Sequence, residues 1–346
     1  MTSPDVGIPA TRGRQDRIGI VGSSGFLGSH VLACGRAQLL DVAAVESPTI
    51  RVDEWASTSA SADTWRRANA QEFERWGQAL EGFDVVVNAA GMGVPTSADE
   101  QALYSANAVQ PLLLGRACRL AGVRRLVHIS SAAVQGRLDP LDETPRRYPF
   151  SPYTRSKAEG ERCLSDAGDD VPAEVVLYRV TSVQGAERAI TRRLVRLACA
   201  PVVPIAGKGD QPLPVALIDN VAHGIVFSAI SPFPGPIVVQ PSEDITTRQL
   251  FGFLSARRFL PVPARPVEWL LTAIRGPADR RPSLSTSVRG LELLLRGQRV
   301  AESSLTGVGF VLPVGHEGWK DLGDAVRAAS SGGLAEHPGA ISSASP

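Results

Sequence analysis

Tyr153 and Lys157 stand four residues apart in "SPYTRSK", residues 151 to 157, straight after a proline suited to a helix's first turn. Residues at that spacing share a helix face, so the phenol and the ammonium can point into one space. A free phenol has a pKa of about 10 and is a poor base at neutral pH. An ammonium about 4 Å away in a partly buried site favours phenolate by up to ~4 kcal/mol before desolvation is subtracted. The phenol would then fall by about one to three units, into the range of general acid–base catalysis. A hydroxyl to hold a substrate oxygen is available in "HISSAAVQG", where Ser130 and Ser131 close a strand-like run. Strand residues alternate faces, so one of the two is expected to look toward the site.

Such a pair needs a scaffold that also brings something to react with. In "VGSSGFLGSH", Gly22, Gly25 and Gly28 fall between a short β-branched run, "RIGIVG", and a segment of helical periodicity, "FLGSHVLACGRA". Glycines there let the backbone turn tightly and approach a pyrophosphate, Gly28 allows close helix packing, and the helix N-terminus offers free N–H groups to phosphate oxygens. Glu46, about twenty residues past the glycines and ending the second strand, stands where an acid accepts hydrogen bonds from an adenosine ribose. An acid there repels the 2′-phosphate of NADP and favours NAD, although Arg51 is close enough in sequence to pair with that phosphate instead.

The remaining strands read as "LLDVAAVE", "FDVVVNAAG", "RRLVHISSAAVQG" and "AEVVLYRV", alternating with helices, one of which carries Phe73, Trp76 and Leu80 at three- and four-residue steps. Nearly continuous apolar strands in that rhythm predict an α/β fold of the Rossmann type, a doubly wound parallel sheet covered on both faces. The expected division is a disordered N-terminus over 1–15 and a dinucleotide-binding domain over 16–185 with a return segment near 214–240. A smaller, irregular C-terminal substrate-binding lobe is expected over 186–327, where proline clusters loosen the pattern, and a disordered tail over 328–346.

The chain of 346 residues is 43% hydrophobic with a formal charge of +1, which points to no nucleic-acid or anionic-membrane partner. Cys34, Cys118, Cys163 and Cys199 are scattered, with no zinc or redox spacing, and no His, Cys or carboxylate cluster predicts a metal. No run is of signal-peptide or membrane-span length, so a cytoplasmic protein with reduced thiols is expected. His128 and His223 sit in apolar runs and read as structural histidines.

Taken in chain order, the glycine turn, Glu46, "VNAAG", "SSAAVQG" and "SPYTRSK" resemble the extended short-chain dehydrogenase/reductases, the NAD-dependent epimerase/dehydratase family, clearly over residues 17 to 230. The resemblance implies a catalytic set of Ser131, Tyr153 and Lys157, with Lys157 also touching the nicotinamide ribose. It implies cofactor contacts at Gly22, Gly25, Phe26, Leu27, Gly28 and Glu46, and a segment flanking adenine and pyrophosphate at Asn88, Ala89, Ala90 and Gly91. Asn107 matches an asparagine that steadies the central sheet. Homodimers through two helices, here "LYSANAVQPLLLGRACRL" and "YTRSKAEGERCL", are common in the family.

Three departures bear on the reaction. Sugar dehydratases of this family carry an Asp-Glu pair after the catalytic Ser/Thr, where this chain has Ala132 and Ala133, so elimination is disfavoured. Members acting on nucleotide sugars commonly use an asparagine and an arginine on the diphosphate, and alignment puts Ser182 and Leu213 there, with Arg192, Arg193 or Lys208 as possible replacements. The expected function is an NAD(P)-dependent epimerase or ketoreductase acting on a nucleotide sugar, with NAD as cofactor and NADP possible. A reductase or dehydrogenase of a non-nucleotide carbonyl or alcohol, sterol-like or polyketide-like, is the alternative. A catalytically silent NAD-binding regulator would call for a broken catalytic set, and all three residues are present.

Overall fold

The computed structural model describes residues 15–50, 52, 62–97, 99–256, 258–263, 269, 271–273 and 282–332. Arg51, nearly all of the expected N-terminal tail and residues 333–346 lie outside them. The strands are β1 Ile18–Val21, β2 Val42–Val45, β3 Val85–Asn88, β4 Arg125–Ser131, β5 Glu174–Val180, β6 Ser182–Gln184, β7 Val203–Ala206, β8 Val215–Leu217, β9 Ile237–Val239 and β10 Phe259–Val262. Six of them form one sheet in the order β2-β1-β3-β4-β5-β9, with every pairing parallel.

The helices among the described residues begin with α1 Phe26–Ala37, α2 Ala62–Ala68, α3 Ala70–Ala79, α4 Glu100–Tyr104, α5 Gln110–Leu120 and α6 Pro152–Asp166. They continue with α7 Ala189–Ala198, α8 Ile218–Ile230, α9 Thr247–Phe253, α10 Pro282–Arg296, α11 Ser304–Gly307 and α12 Glu317–Gly332. A π turn, Ser105–Val109, joins α4 to α5. The last helix runs past residue 327, where the sequence placed the end of the ordered chain.

Strand residues divide between the two faces with a period of two, as a doubly covered sheet requires. Ile18, Ile20, Val85, Val87, Val127, Ile129 and Val176 pack with Val31 of α1 and with Val221 and Ile225 of α8. Val86, Leu126 and Leu177 face the other way, onto Trp76 of α3 and Leu112 and Leu113 of α5. A separate apolar cluster, including Leu213, Leu250, Phe251 and Trp319, holds the C-terminal lobe together. There the sheets shrink to two parallel pairs, β10-β7 and β6-β8.

The strand order determines where a ligand can sit. From β1 the chain moves outward to β2 and then returns to β3 on the opposite side of β1. The connections after β1 and β3 therefore diverge, and a crevice opens at the carboxyl ends of those two strands. Gly22 follows β1 directly, and Ala89 to Gly91 follow β3.

Candidate active site

The glycine turn is built by close backbone approach. Gly22 has φ +79°, and a methyl group on it would lie 2.5 Å from the Ala90 nitrogen. One on Gly28 would lie 2.1 Å from the Gly22 carbonyl oxygen, so α1 packs directly on the turn that precedes it. Gly25 is the N-cap of α1, and no side chain caps the helix. Its first-turn N–H groups, at Phe26, Leu27 and Gly28, are thereby left to an external acceptor. Glu46 follows β2 with its side chain exposed at the crevice edge, and its main-chain carbonyl accepts a hydrogen bond from Trp76 Nε1 at 3.1 Å.

Beside this turn lies a cavity of 640 Å³, lined among others by Ser47, Ile50, Gly91, Gln101, Ser105 and Ala106. Gln101 donates to the Val52 carbonyl and so ties α4 to the segment after β2. Of the lining residues, Gly91 and its neighbour Ala90 were picked out from the sequence. The others carry no motif, and chain folding alone brings them together.

The segment after β3 divides in a way the family resemblance did not anticipate. Asn88 is wholly buried, and its side chain faces inward rather than toward the crevice. Its amide nitrogen meets Gln110 Oε1 at 3.1 Å and His128 Nδ1 at 3.2 Å, while its oxygen accepts from the Ala90 nitrogen at 3.2 Å. The side chain thus braces the turn that Ala89, Ala90 and Gly91 present to the crevice. Asn107, in the π turn, accepts from the Met92 nitrogen at 2.9 Å and donates to the Met92 carbonyl at 3.1 Å and to Ser156 Oγ at 3.0 Å. It clamps the loop after β3 onto α6, a tighter role than steadying the sheet at large. A methyl group at Gly91 would lie 2.8 Å from Asn107 Oδ1 and 3.1 Å from Lys157 Nζ, which puts the loop, the π turn and α6 at one point.

Helix α6 carries the acid–base pair and begins where its sequence dictates. Ser151 is the N-cap, Ser151 and Thr154 cap each other's backbone N–H groups, and Pro152 occupies the first turn. One turn in, the Lys157 ammonium is buried and donates to the Ile129 carbonyl of β4 at 3.1 Å. Burial pulls it down from 10.5 to about 8, against the Glu161 carboxylate one turn further on, which holds it up. The Ser131 hydroxyl, which accepts from the Ala133 nitrogen at 3.2 Å, lies near enough to the Tyr153 phenol to favour its ionised form. Ser130, its neighbour on β4, faces away and donates to Glu161 Oε1 at 2.7 Å, so the two serines separate by strand alternation.

The phenol's electrostatics differ from the sequence expectation. Burial raises its pKa, and the groups pulling it down, the Ser131 hydroxyl and the charge of Arg188, do not offset that. Lys157 is not among them. Its ammonium is engaged by a strand carbonyl, and removing a phenol from water costs more here than the neighbouring charge returns.

Beneath Lys157 lies a buried ion network. Arg179 of β5 meets Glu161 through Nε at 3.0 Å and Nη2 at 2.8 Å, both side chains fully buried, and Arg147 Nε reaches the same carboxylate at 2.9 Å. Burial alone would raise the Glu161 carboxyl, but Arg179, Ser130 and Arg147 together hold it below the usual carboxylate range. His128 is buried, and desolvation, followed by the Lys157 charge, keeps it neutral, which fits a structural rather than a basic role.

Of the positions compared with diphosphate ligands, Leu213 is buried in the lobe core and the Ser182 hydroxyl is held by Gln184 at 2.9 Å. Arg192 donates to the Glu187 carbonyl at 2.7 Å, while Arg193 and Lys208 are exposed. The uncapped helix start, the close-packed glycines, the exposed acid after β2 and the adjoining cavity together fit a dinucleotide.

Fold and site define a dinucleotide-binding α/β protein of the extended short-chain dehydrogenase/reductase type, and the NAD dependent epimerase/dehydratase family model matches residues 18–236, so the chain belongs to that family. Among curated relatives, a dTDP-4-dehydrorhamnose reductase of Mycobacterium tuberculosis is 30% identical over 247 residues, 68% of this chain and 73% of the relative. A UDP-glucose 4-epimerase of Rhizobium leguminosarum bv. trifolii is 29% identical over 188 residues, 49% of this chain and 52% of that protein. Among solved structures, MoeE5 in complex with UDP-glucuronic acid and NAD superposes with a TM-score of 0.61 at 20% identity, over 90% of this chain and 99% of that one. The UDP-glucose 4-epimerase of Thermus thermophilus in complex with NAD gives 0.59 at 20% identity with the same coverage. At that identity the likeness is one of fold.

Proposed function

We propose that this chain is an NAD-dependent epimerase or ketoreductase acting on a nucleotide sugar, with Ser131, Tyr153 and Lys157 as its catalytic residues. The observation that carries the reading is the buried Lys157, which shares a helix turn with Tyr153, donates to the Ile129 carbonyl of β4 two residues before Ser131 and lies beside Gly91 of the crevice. The cofactor, held by the glycine turn and Glu46, would supply or accept hydride. Tyr153 exchanges the proton of the substrate hydroxyl at its phenolic oxygen, and Ser131 orients that substrate oxygen. Lys157, whose buried ammonium titrates near 8 and is anchored on the Ile129 carbonyl, would hold the nicotinamide ribose, while the charge that lowers the phenol comes from Arg188. The names of the relatives, which include a sugar-nucleotide reductase and an epimerase, support the substrate class. Ala132 and Ala133, where dehydratases carry their acid pair, count against elimination. A homodimer through α5 and α6 is proposed with it, and a single monomeric species in sedimentation would count against that part.

Replacing Tyr153 by Phe tests the assignment. NADH binding is expected to stay within about twofold of wild type, since the hydroxyl is not needed to hold the cofactor, while turnover of UDP- and dTDP-linked hexoses or their 4-keto forms falls by about a hundredfold or more. Near wild-type turnover in Y153F would refute the role. The second reading, a reductase of a non-nucleotide carbonyl, is favoured by the apolar, buried Leu213 at the position where an arginine commonly meets a diphosphate. Turnover of sterol or polyketide ketones with no response to any sugar nucleotide would select it.

A further inference from the structure

Ser131 is also one end of a small rigid unit. Its hydroxyl caps the four-residue 3₁₀ turn Ala132–Gln135 by accepting from the Ala133 nitrogen at 3.2 Å, and Gly136 closes the same turn by donating to the Ala133 carbonyl at 3.0 Å. Ala132, Val134 and Gln135 are buried, and the Val134 carbonyl accepts from the Tyr148 nitrogen at 2.8 Å on the approach to α6. A turn this short, with its middle packed, passes a displacement at Gly136 on to Ser131.

The groups that hold Gly136 come from the C-terminal lobe. Gln298, two residues past α10 and 6% exposed, donates its amide to the Gly136 carbonyl at 3.1 Å and to the Leu138 carbonyl at 2.6 Å. Arg289 of α10 donates to the Gly136 carbonyl at 3.0 Å and to Gln298 Oε1 at 2.6 Å. The amide can therefore sit only one way round, with its oxygen to a guanidinium and its nitrogen to two carbonyls. Its own main chain is anchored too, since the Pro212 carbonyl accepts from the Gln298 nitrogen at 2.8 Å. The contact extends beyond Gln298, where the Arg299 nitrogen donates to Asp139 at 2.8 Å and Val300 bridges Leu141. One turn earlier on α10, Thr286 donates to the Pro95 carbonyl, in the loop leaving β3, at 3.0 Å. The lobe thus grips the outgoing loops of both β3 and β4, the strands followed by Gly91 and ended by Ser131.

We infer that Gln298 is a positioning residue for the reaction. Through Gly136 and the turn that Gly136 closes, its amide sets where the Ser131 hydroxyl stands, so a group 162 positions along the chain from Gly136 governs the orientation of the substrate oxygen. This rests on the functional reading above, which makes Ser131 catalytic.

Two variants test it. Gln298→Leu removes both donors, whereas Gln298→Glu keeps the size and the acceptor for Arg289 and removes only the donors. Each is checked by thermal melting and by NADH titration, and NADH affinity is expected to stay within about twofold of wild type because the glycine turn is remote from Gly136. On the substrate of the panel above that wild type turns over, kcat should fall by about tenfold to a hundredfold with KM within about threefold, the loss expected when a reacting group is misplaced by ~1 Å. Both variants are then repeated in Ser131→Ala. Acting through Ser131, the loss of Gln298 should cost less than about twofold once that hydroxyl is gone. An equal fold-loss of kcat in both backgrounds would mean that the amide only holds the fold, and would overturn the inference. Wild-type kcat in both variants, a change confined to KM, a matching loss of NADH affinity or the absence of a folded state in both variants would overturn it as well. Wild-type protein that turns over nothing on the panel would overturn the functional reading and this inference together.

Discussion

Replacing Glu161 by Gln probes how the site is held. The carboxylate accepts four hydrogen bonds, from Arg179 Nε at 3.0 Å, Arg179 Nη2 at 2.8 Å, Ser130 Oγ at 2.7 Å and Arg147 Nε at 2.9 Å. Glutamine keeps one acceptor oxygen and turns an NH₂ group toward a guanidinium. Arg179 has no exposure to water, so its charge is left without its carboxylate partner. Breaking a buried pair in this way costs about 3–5 kcal/mol, a large part of a typical net stability of about 5–15 kcal/mol. With a urea m-value of about 3 kcal/mol/M, the midpoint should fall by about 1 M or more. The pH dependence carries the same signature. Because the folded-state carboxyl titrates below its ordinary value, its contribution is present above the unfolded carboxylate pKa and is lost as pH falls through the lower folded value. E161Q should lack that acid-side loss. The doubly apolar Glu161→Leu with Arg179→Met should recover much of the midpoint, since the penalty arises from a stranded charge. A drop of less than about 1 kcal/mol in E161Q, with the acid-side slope intact, would refute the account.

Three further outcomes are expected. Lys157→Met should abolish turnover yet stabilise the fold at pH 7. Folded Lys157 titrates near 8 against an ordinary 10.5, so wild type gains stability as pH rises between those values, roughly 3 kcal/mol in all, and K157M should show no such gain in urea unfolding. Gly28→Ala places a methyl group 2.1 Å from the Gly22 carbonyl and should cost about 1–3 kcal/mol and at least tenfold in NADH affinity; wild-type binding would show that the turn does not carry the diphosphate. Glu46→Arg should move the NADPH-to-NADH affinity ratio upward by about tenfold or more, the effect of exchanging a repelling acid for a charge-assisted contact, as measured by paired titrations.

What could be read in advance was whatever depends on near neighbours in the chain. The glycine spacing dictates a turn into a helix because only glycine tolerates φ +79° at Gly22 with a backbone 2.5 Å from where a side chain would begin. The cap of α6 follows from Ser151, Pro152 and Thr154, and the shared face of Tyr153 and Lys157 follows from helical periodicity. Alternation along β4 foretold that only one of Ser130 and Ser131 would face the phenol.

The rest depends on which distant segments meet. The family resemblance implied that Asn88 belongs to the segment flanking the cofactor, and its amide is held inward by Gln110 and His128, 22 and 40 residues away. The titration of Tyr153 and Lys157 could not be read from their spacing, because desolvation scales with everything packed around them and the Ile129 carbonyl that engages Lys157 is 28 residues distant. Arg188 carries no local signature at all; its guanidinium is placed by the ring of Phe26, 162 positions earlier. Periodicity and turn chemistry are short-range and so are written in neighbouring residues, whereas burial and charge environment are sums over the whole packed molecule and exist only once the chain has closed on itself.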